Sequence, residues 1–510
     1  MHRLGALARA LVCAGLAVLV LAPSAFALDQ VNTKKLRDAV TVNGILGHER
    51  ALQRIANMND GTRASGTPGY KASLDYVKGR LDAAGYKTTV QEFIFPFFQD
   101  LAEPQVSQVS PTPTEYETAT FQYSGSGDVT GTLVPATNNE SPPGPPPTSS
   151  TAGCAAGDFT PASATDPQIA LVQRGGCNFS VKAENAEAAG YDAVIIYNEG
   201  QDGRTELATG TLGQVFDIPV VGLSFADGDT LNAAAKAGTV TMHVVTSTLN
   251  EDRPTYNLLA DSKGGDKDQT LVVGSHLDSV VEGPGIQDNG SGSATDLEVA
   301  LQIAKLGLNP RRHLRFAFWG AEESGLLGSQ HYVDNLTDSE ITQIYANLNF
   351  DMIASPNYVR FVYDGDGSDT PTAGPPGSAQ IEDLFNQFYA GQGMATDPTA
   401  FDGRSDYGPF IDVGIPAGGL FTGAEGIKSA EQAATYGGTA GEAYDHCYHQ
   451  ACDTVNNVNT KALNEMSDGV AHATWTIAKS KTGFFEDQSL TARNKGKGVK
   501  TRMKGPEAKR

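Results

Sequence analysis

The chain has 510 residues, 40% of them hydrophobic and 19% charged. That is the make-up of a globular protein with roughly two or three domains and a large buried core. Its 37 basic residues against 59 acidic ones give a net charge of −22, a surface that repels phosphate backbones and argues against a nucleic-acid partner.

The chain starts with the positive residues His2, Arg3 and Arg9, and an apolar run follows over 10–21. Next comes Pro23-Ser24-Ala25-Phe26-Ala27, with small residues at the two positions a signal peptidase reads. Residues 1–27 are therefore predicted to be a secretory signal cut after Ala27. The apolar run is too short to span a membrane comfortably. Cleavage removes Cys13 and leaves Cys154, Cys177, Cys447 and Cys452. An even number in a secreted chain points to two disulfides, with three pairings open. Proximity along the chain favours Cys154–Cys177 and Cys447–Cys452.

Apolar spacing predicts helices over 45–56 and 70–84, separated by the Gly- and Ser-rich loop 61–69, and then a strand over 87–95. Between about 100 and 250 the pattern changes to short β-like runs broken by turns, with a Pro-rich loop over 141–150. A helix over 181–189 and a strand over 193–197 complete what reads as a compact β-rich insert. From about 251 to 485 strands and helices alternate, which predicts an α/β fold with a mostly parallel central sheet flanked by helices. The remainder is basic and without periodicity, the pattern of a disordered tail.

Three apolar runs in this last part end in polar, metal-binding types. Leu271-Val272-Val273-Gly274 leads into Ser275-His276-Leu277-Asp278; Phe316-Ala317-Phe318-Trp319 into Gly320-Ala321-Glu322-Glu323; and Leu348-Asn349-Phe350 into Asp351. Such runs suit buried parallel strands, and in open α/β sheets ligands bind beyond the carboxyl ends of the strands. His276, Asp278, Glu322, Glu323 and Asp351 are thus expected on one rim. Asp288, in the glycine-rich turn Gly285-Ile286-Gln287-Asp288-Asn289-Gly290, and His449, between Cys447 and Cys452, complete the candidates. Imidazole nitrogen and carboxylate oxygen are the donors zinc accepts. A pair of metals about 3.5–4 Å apart needs several such donors with at least one shared. Glu322 and Glu323 are neighbours, so one can ligate metal while the other moves a proton. The His-x-Asp spacing suits an aspartate that orients the histidine.

The ordered set GSHLDSV, GIQDNGSGSA, FAFWGAEESGLLGS, NFDMI and CYHQACDT resembles the co-catalytic zinc aminopeptidases, including the aminopeptidase Y type and the secreted bacterial leucyl aminopeptidases. The resemblance spans nearly all of the mature chain. It implies two zinc ions, with His276 and Asp351 completing one site, Glu323 and His449 the other, and Asp288 bridging. It implies Glu322 as general base, Asp278 as partner of His276, and Tyr448 as a hydrogen-bond donor to the oxyanion. It also implies Arg404 as a contact for the substrate backbone and Phe421 as a wall of the pocket for the first side chain. Within the insert, Arg174-Gly175-Gly176-Cys177-Asn178-Phe179 and Ile195-Ile196-Tyr197-Asn198 resemble a protease-associated domain. The division expected is catalytic domain over 28–110 and 250–485, insert over 111–249, and tail over 486–510. The expected protein is a secreted monomer acting on peptides with free N-termini. A metal-free receptor ectodomain, a zinc carboxypeptidase or dipeptidase and a one-zinc glutaminyl cyclase-like transferase are the competing readings.

Overall fold

The computed structural model describes residues 31–144, 149–201 and 203–483; the predicted signal, the tail and part of the Pro-rich stretch lie outside the described residues. The strands are β1 Lys87–Ser110, β2 Thr114–Tyr116, β3 Ala119–Thr120, β4 Gly127–Pro135, β5 Gln168–Gln173, β6 Ala193–Tyr197 and β7 Val220–Leu223. They continue as β8 Thr241–Asp261, β9 Asp266–His276, β10 Arg312–Trp319, β11 Ile344–Phe350, β12 Phe361–Tyr363, β13 Asp397–Thr399 and β14 Ala417–Phe421. All are linked in one sheet of order β13-β12-β14-β11-β9-β10-β8-β4-β5-β6-β7-β3, with β1 along β8.

The central strands are apolar on both faces because both faces are covered. Along β9, Leu271 and Val273 face one core while Val272 faces the other; along β10, Leu314, Phe316 and Phe318 alternate in the same way with Ala317 and Trp319. The period-2 alternation of strand side chains makes this inevitable once helices lie on each side. One layer holds helices Val42–Asn57, Pro68–Ala84, Gly290–Lys305 and Thr460–Lys479; the other includes Leu327–Asp334 and Gly408–Asp412. Strands β9, β10, β11 and β14 run parallel, so their carboxyl ends share one edge.

The three helices expected over 45–56, 70–84 and 181–189 form as Val42–Asn57, Pro68–Ala84 and Phe179–Ala188, each starting two or three residues earlier. Thr67 caps Pro68–Ala84 by accepting from the Tyr70 amide, proline occupies the first turn, and Gly85 closes the helix at φ +86°, the left-handed turn that glycine adopts without steric cost. The strand expected over 87–95 is much longer. β1 continues through Pro96 to Ser110. Beside Pro96 it pairs only with β8, and a proline is tolerated on an edge strand.

The insert is less separate than its composition implies. β8 pairs with β10 at Leu258–Asp261 and with β4 at Thr241–Thr246, while β1 follows it antiparallel along its length. One pair of long strands therefore joins both regions. Within the insert, β5 and β6 alternate their side chains between two cores, Ala170, Val172, Val194 and Ile196 on one side and Ile169, Leu171, Ile195 and Tyr197 on the other. Cys154–Cys177 and Cys447–Cys452 are both bonded.

Phe316 is fully buried in β10 and meets Tyr86 edge-on at 5.9 Å. Phe316→Ala is expected to lower stability by about 3–5 kcal/mol, read as a fall in the urea midpoint of unfolding. An unmoved midpoint would contradict this account of the core.

Candidate active site

The carboxyl edge of the parallel strands gathers the candidates. β9 ends in His276, β10 is followed by Glu322 and Glu323, and β11 by Asp351. Asp288 reaches the same place from the turn before helix Gly290–Lys305. A Cβ at Gly292 would lie 2.1 Å from the Phe350 carbonyl, so glycine there allows the helix start to sit against the end of β11. Asn289 fastens the contact: its Nδ2 donates to Phe350 O at 2.9 Å, and its Oδ1 accepts from Gly292 N at 2.9 Å and Met352 N at 3.3 Å. The Asp288–Asn289 peptide is cis. His449 enters from the loop closed by Cys447–Cys452, with φ +56°.

Two trios of donors result. His276 Nε2 lies 3.2 Å from Asp351 Oδ1 and 3.3 Å from Asp288 Oδ1. His449 Nε2 lies 2.9 Å from Glu323 Oε2 and 3.3 Å from Asp288 Oδ2. Asp288 thus offers one oxygen to each trio. Glu322 Oε2 stands 3.9 Å from His276 Nε2, and Asp278 Oδ1 3.6 Å from His276 Nδ1 on the far side of the ring. That last distance is longer than a hydrogen bond. His446 is exposed and Cys447 is in a disulfide, so the nearby Asp445-His446-Cys447 run offers no comparable donor set.

The electrostatics explain why such a cluster calls for cations. Burial drives the Glu322 carboxyl well above its usual range; His276 pulls it down, while Glu323 and Asp351 push it up again. Glu323 is likewise raised, chiefly by burial. Burial opposes ionisation of Asp288 too, but hydrogen bonds with His276 and His449 prevail and lower it. For His449 burial disfavours the charged ring, yet Glu323 and Asp288 outweigh it and take the imidazole up to about 10. Asp278 Oδ2, Glu323 Oε1 and His276 Nδ1 are buried with no hydrogen-bond partner among the described residues. Crowded, dehydrated carboxylates are costly unless positive charge sits among them. The nitrogen and oxygen donors match a borderline-soft divalent metal.

Several residues that the sequence reading passed over hold this arrangement. Arg63 is fully buried; its Nε donates to Pro284 O at 2.8 Å, one terminal nitrogen donates to Leu277 O at 2.5 Å and the other to Gly285 O. It thereby clamps the segments carrying Asp278 and Asp288. Ser405 donates to Asp351 Oδ2 at 2.7 Å and accepts from Asn349 at 2.8 Å. Asp453 accepts the amides of Gln287 and Asp288 at 2.9 and 3.0 Å. Ser65 accepts the Ala321 amide at 2.7 Å. Only proximity to singled-out motifs hinted at Ser405 and Asp453, and nothing local marked Arg63.

Around the cluster, Tyr448 stacks on His449 at 3.8 Å. Arg404 reaches Tyr448 OH at 3.4 Å and pairs with Glu425 through two contacts of 2.8 and 3.1 Å. A small pocket beside Asp351 is walled by Met352, Tyr363, Phe421 and Tyr448. On the other side a cleft of about 590 Å³ opens onto Glu322, Glu323 and His449, and its wall includes Thr120, Gln122 and Thr211 from the insert.

Because Arg63 reaches only backbone carbonyls of the ligand segments, Arg63→Met is expected to weaken divalent-metal affinity about 10–100-fold. Titration of the stripped protein with metal measures it, with circular dichroism to verify the fold. Unaltered affinity in a folded variant would show that the clamp does not position the ligands.

Residues 257–474 match the sequence profile of peptidase family M28, and residues 129–231 that of the PA domain. An aminopeptidase of Pseudomonas aeruginosa is 46% identical over 459 residues, covering 89% of this chain and 83% of its own. Leucine aminopeptidase 2 of Arthroderma otae is 39% identical, covering 89% of this chain and 88% of its own. Among solved structures, an aminopeptidase from Aneurinibacillus sp. superposes with a TM-score of 0.70 at 25% identity, over 88% of this chain and 96% of its own. A zinc aminopeptidase from Bacillus subtilis, at 23% identity and a TM-score of 0.60 over 87% of this chain and 97% of its own, shares the fold. Relatives of this identity span nearly the whole described chain, and the protein accordingly belongs to peptidase family M28, as a metallo-aminopeptidase that carries a PA domain.

Proposed function

We propose that this enzyme is secreted, holds two zinc ions, and releases the first residue, an apolar one such as leucine, from peptides with a free N-terminus. The observation that carries the reading is the pair of donor trios sharing Asp288. His276 and Asp351 would hold one zinc, Glu323 and His449 the other, with Asp288 between them. Zinc bound there supplies Lewis acidity and brings the pKa of water toward neutrality.

The side chains then divide the work. Glu322 takes a proton from the attacking water and returns it to the leaving amine. Tyr448 donates a hydrogen bond to the developing oxyanion. Asp278 orients the His276 ring from behind. Arg404 contacts the substrate backbone, and Phe421 contributes the apolar wall against the first side chain. The acidic rim favours a free α-ammonium, which makes the enzyme an exopeptidase. The relatives named leucine aminopeptidase support the apolar preference.

Secretion rests on the signal-like residues 1–27 and on the two disulfides, a mark of oxidising compartments. No helix of the described residues is long and apolar enough to cross a membrane. We divide the chain into a catalytic domain over 28–110 and 250–485, a PA insert over 111–249 that flanks the cleft, and a tail over 486–510. The enzyme acts as a monomer.

Metal analysis of the active enzyme is expected to give two zinc ions per chain; one would favour a mononuclear transferase. Glu322→Gln should keep both ions and lose kcat by about 10³-fold, since only the proton acceptor changes; substantial residual turnover would assign the base elsewhere. Leucine p-nitroanilide should be hydrolysed and its N-acetylated form should not, and comparable cleavage of both would end the exopeptidase reading.

A further inference from the structure

Two cavities meet at Glu322, Glu323 and His449: the small pocket walled by Phe421 and the cleft of about 590 Å³. With the first side chain in the pocket, the rest of the peptide, beyond the bond to be cut, has the cleft. A space of this size takes a ligand of several residues rather than a few waters. Asp278 and Glu322 lie buried at its inner end, while two exposed carboxylates, Asp100 and Glu282, line it on the solvent side.

Asp100 belongs to β1, and Glu282 to the segment between β9 and helix Gly290–Lys305. Asp100 is the last residue before a register shift against β8, and a break of this kind re-aims the side chains beside it. Burial raises the Asp100 carboxyl above its usual range, the Thr120 hydroxyl pulls it down, and Glu282 and Glu103 push it up again. Asp100 and Glu282 are thus close enough to feel each other's charge. Arg404, which also lines the cleft, pairs with Glu425 at 2.8 Å. Half-buried apolar side chains, Phe98, Val280 and Val281, complete this part of the wall.

Apolar surface next to paired anions suits a long cationic side chain, whose methylene stem lies on the wall while its charged head stays in water. An acidic side chain there would add a third negative charge to two that already repel. An extended chain advances about 3.3 Å per residue, so carboxylates on the solvent side are met a few residues past the scissile bond.

We infer that Asp100 and Glu282 form a subsite for the leaving part of the substrate, one that favours peptides with lysine or arginine among their second to fourth residues and disfavours glutamate or aspartate there. This rests on the aminopeptidase reading above, which seats the first residue in the Phe421 pocket, and extends it beyond the scissile bond.

The test uses the metal-loaded enzyme and the peptide amide Leu-Ala-Ala-Ala-Ala, with position two, three or four replaced in turn by lysine, norleucine or glutamate. Initial release of leucine gives kcat/KM for the wild type and for the double variant Asp100→Asn, Glu282→Gln, which removes both charges and keeps both shapes. At one or more positions the wild type should prefer lysine to norleucine by about five-fold, the size of a solvent-exposed ion pair, and glutamate should fall below norleucine. In the variant lysine should come within two-fold of norleucine while the norleucine-to-alanine ratio stays put. On the wild type alone, raising sodium chloride from about 0.05 to 0.5 M should shrink the lysine preference, because exposed charges are screened. Lysine within two-fold of norleucine at all three positions in the wild type, a preference that survives in the variant or is indifferent to salt, or both ratios moving together would each overturn the inference. Failure of the wild type to release leucine from any of the peptides would overturn the aminopeptidase reading, and this inference with it.

Discussion

The constraint on which the molecule depends is the crowding of buried carboxylates that outnumber the cationic groups beside them, His276, His449 and Arg63. Asp278, Asp288, Glu322, Glu323 and Asp351 converge where water is largely shut out, within a few ångströms of His276 and His449. Like charges in a poor dielectric repel strongly, so the polypeptide alone would spread them or keep them protonated. The fold does the opposite and pins them in place. Arg63 ties two of the bearing segments together through backbone oxygens, Asn289 joins the helix start to the end of β11, and Asp453 gathers the amides around Asp288. Rigidity that costs stability is what a pre-shaped metal centre requires.

The parts legible in the amino-acid sequence share a physical cause. Doubly covered parallel strands need unbroken apolar runs, and such runs announce where β9, β10 and β11 end and hence which residues share an edge. His276, Glu322, Glu323 and Asp351 follow from that rule. Helix ends were less legible: Pro68 and Gly69, taken by composition as loop, form the first turn of the helix that Thr67 caps. Asp288 and His449 came from motif resemblance rather than from periodicity. Arg63 was invisible because its partners lie more than two hundred positions away, and a local pattern carries no trace of a contact made only on folding. Ser405 and Asp453 act on distant ligands in the same manner.

Composition marked the stretch between about 100 and 250 as an insert, and the PA-domain match over 129–231 lies within it; it did not mark the continuity of the sheet. Hydrogen-bonding continuity ignores composition: β1 and β8 are 24 and 21 residues long and belong to both regions. The length of β1 was hidden because Pro96 looks like a strand end and is only an edge-strand proline. The same pair brings Thr120, Gln122 and Thr211 over the cleft, so the walls of the site come from stretches of chain that are remote in order but hydrogen-bonded into one sheet.

A ladder shared in this way acts as a splint. Two bodies joined by a loose tether can swing apart at little cost, whereas here any widening of the gap between insert and metal-binding edge must bend or shear an antiparallel ribbon, whose register shifts at three places between Asp100 and Ser110. A peptide end that reaches Glu322 therefore passes between walls drawn from both regions and fastened to one ladder.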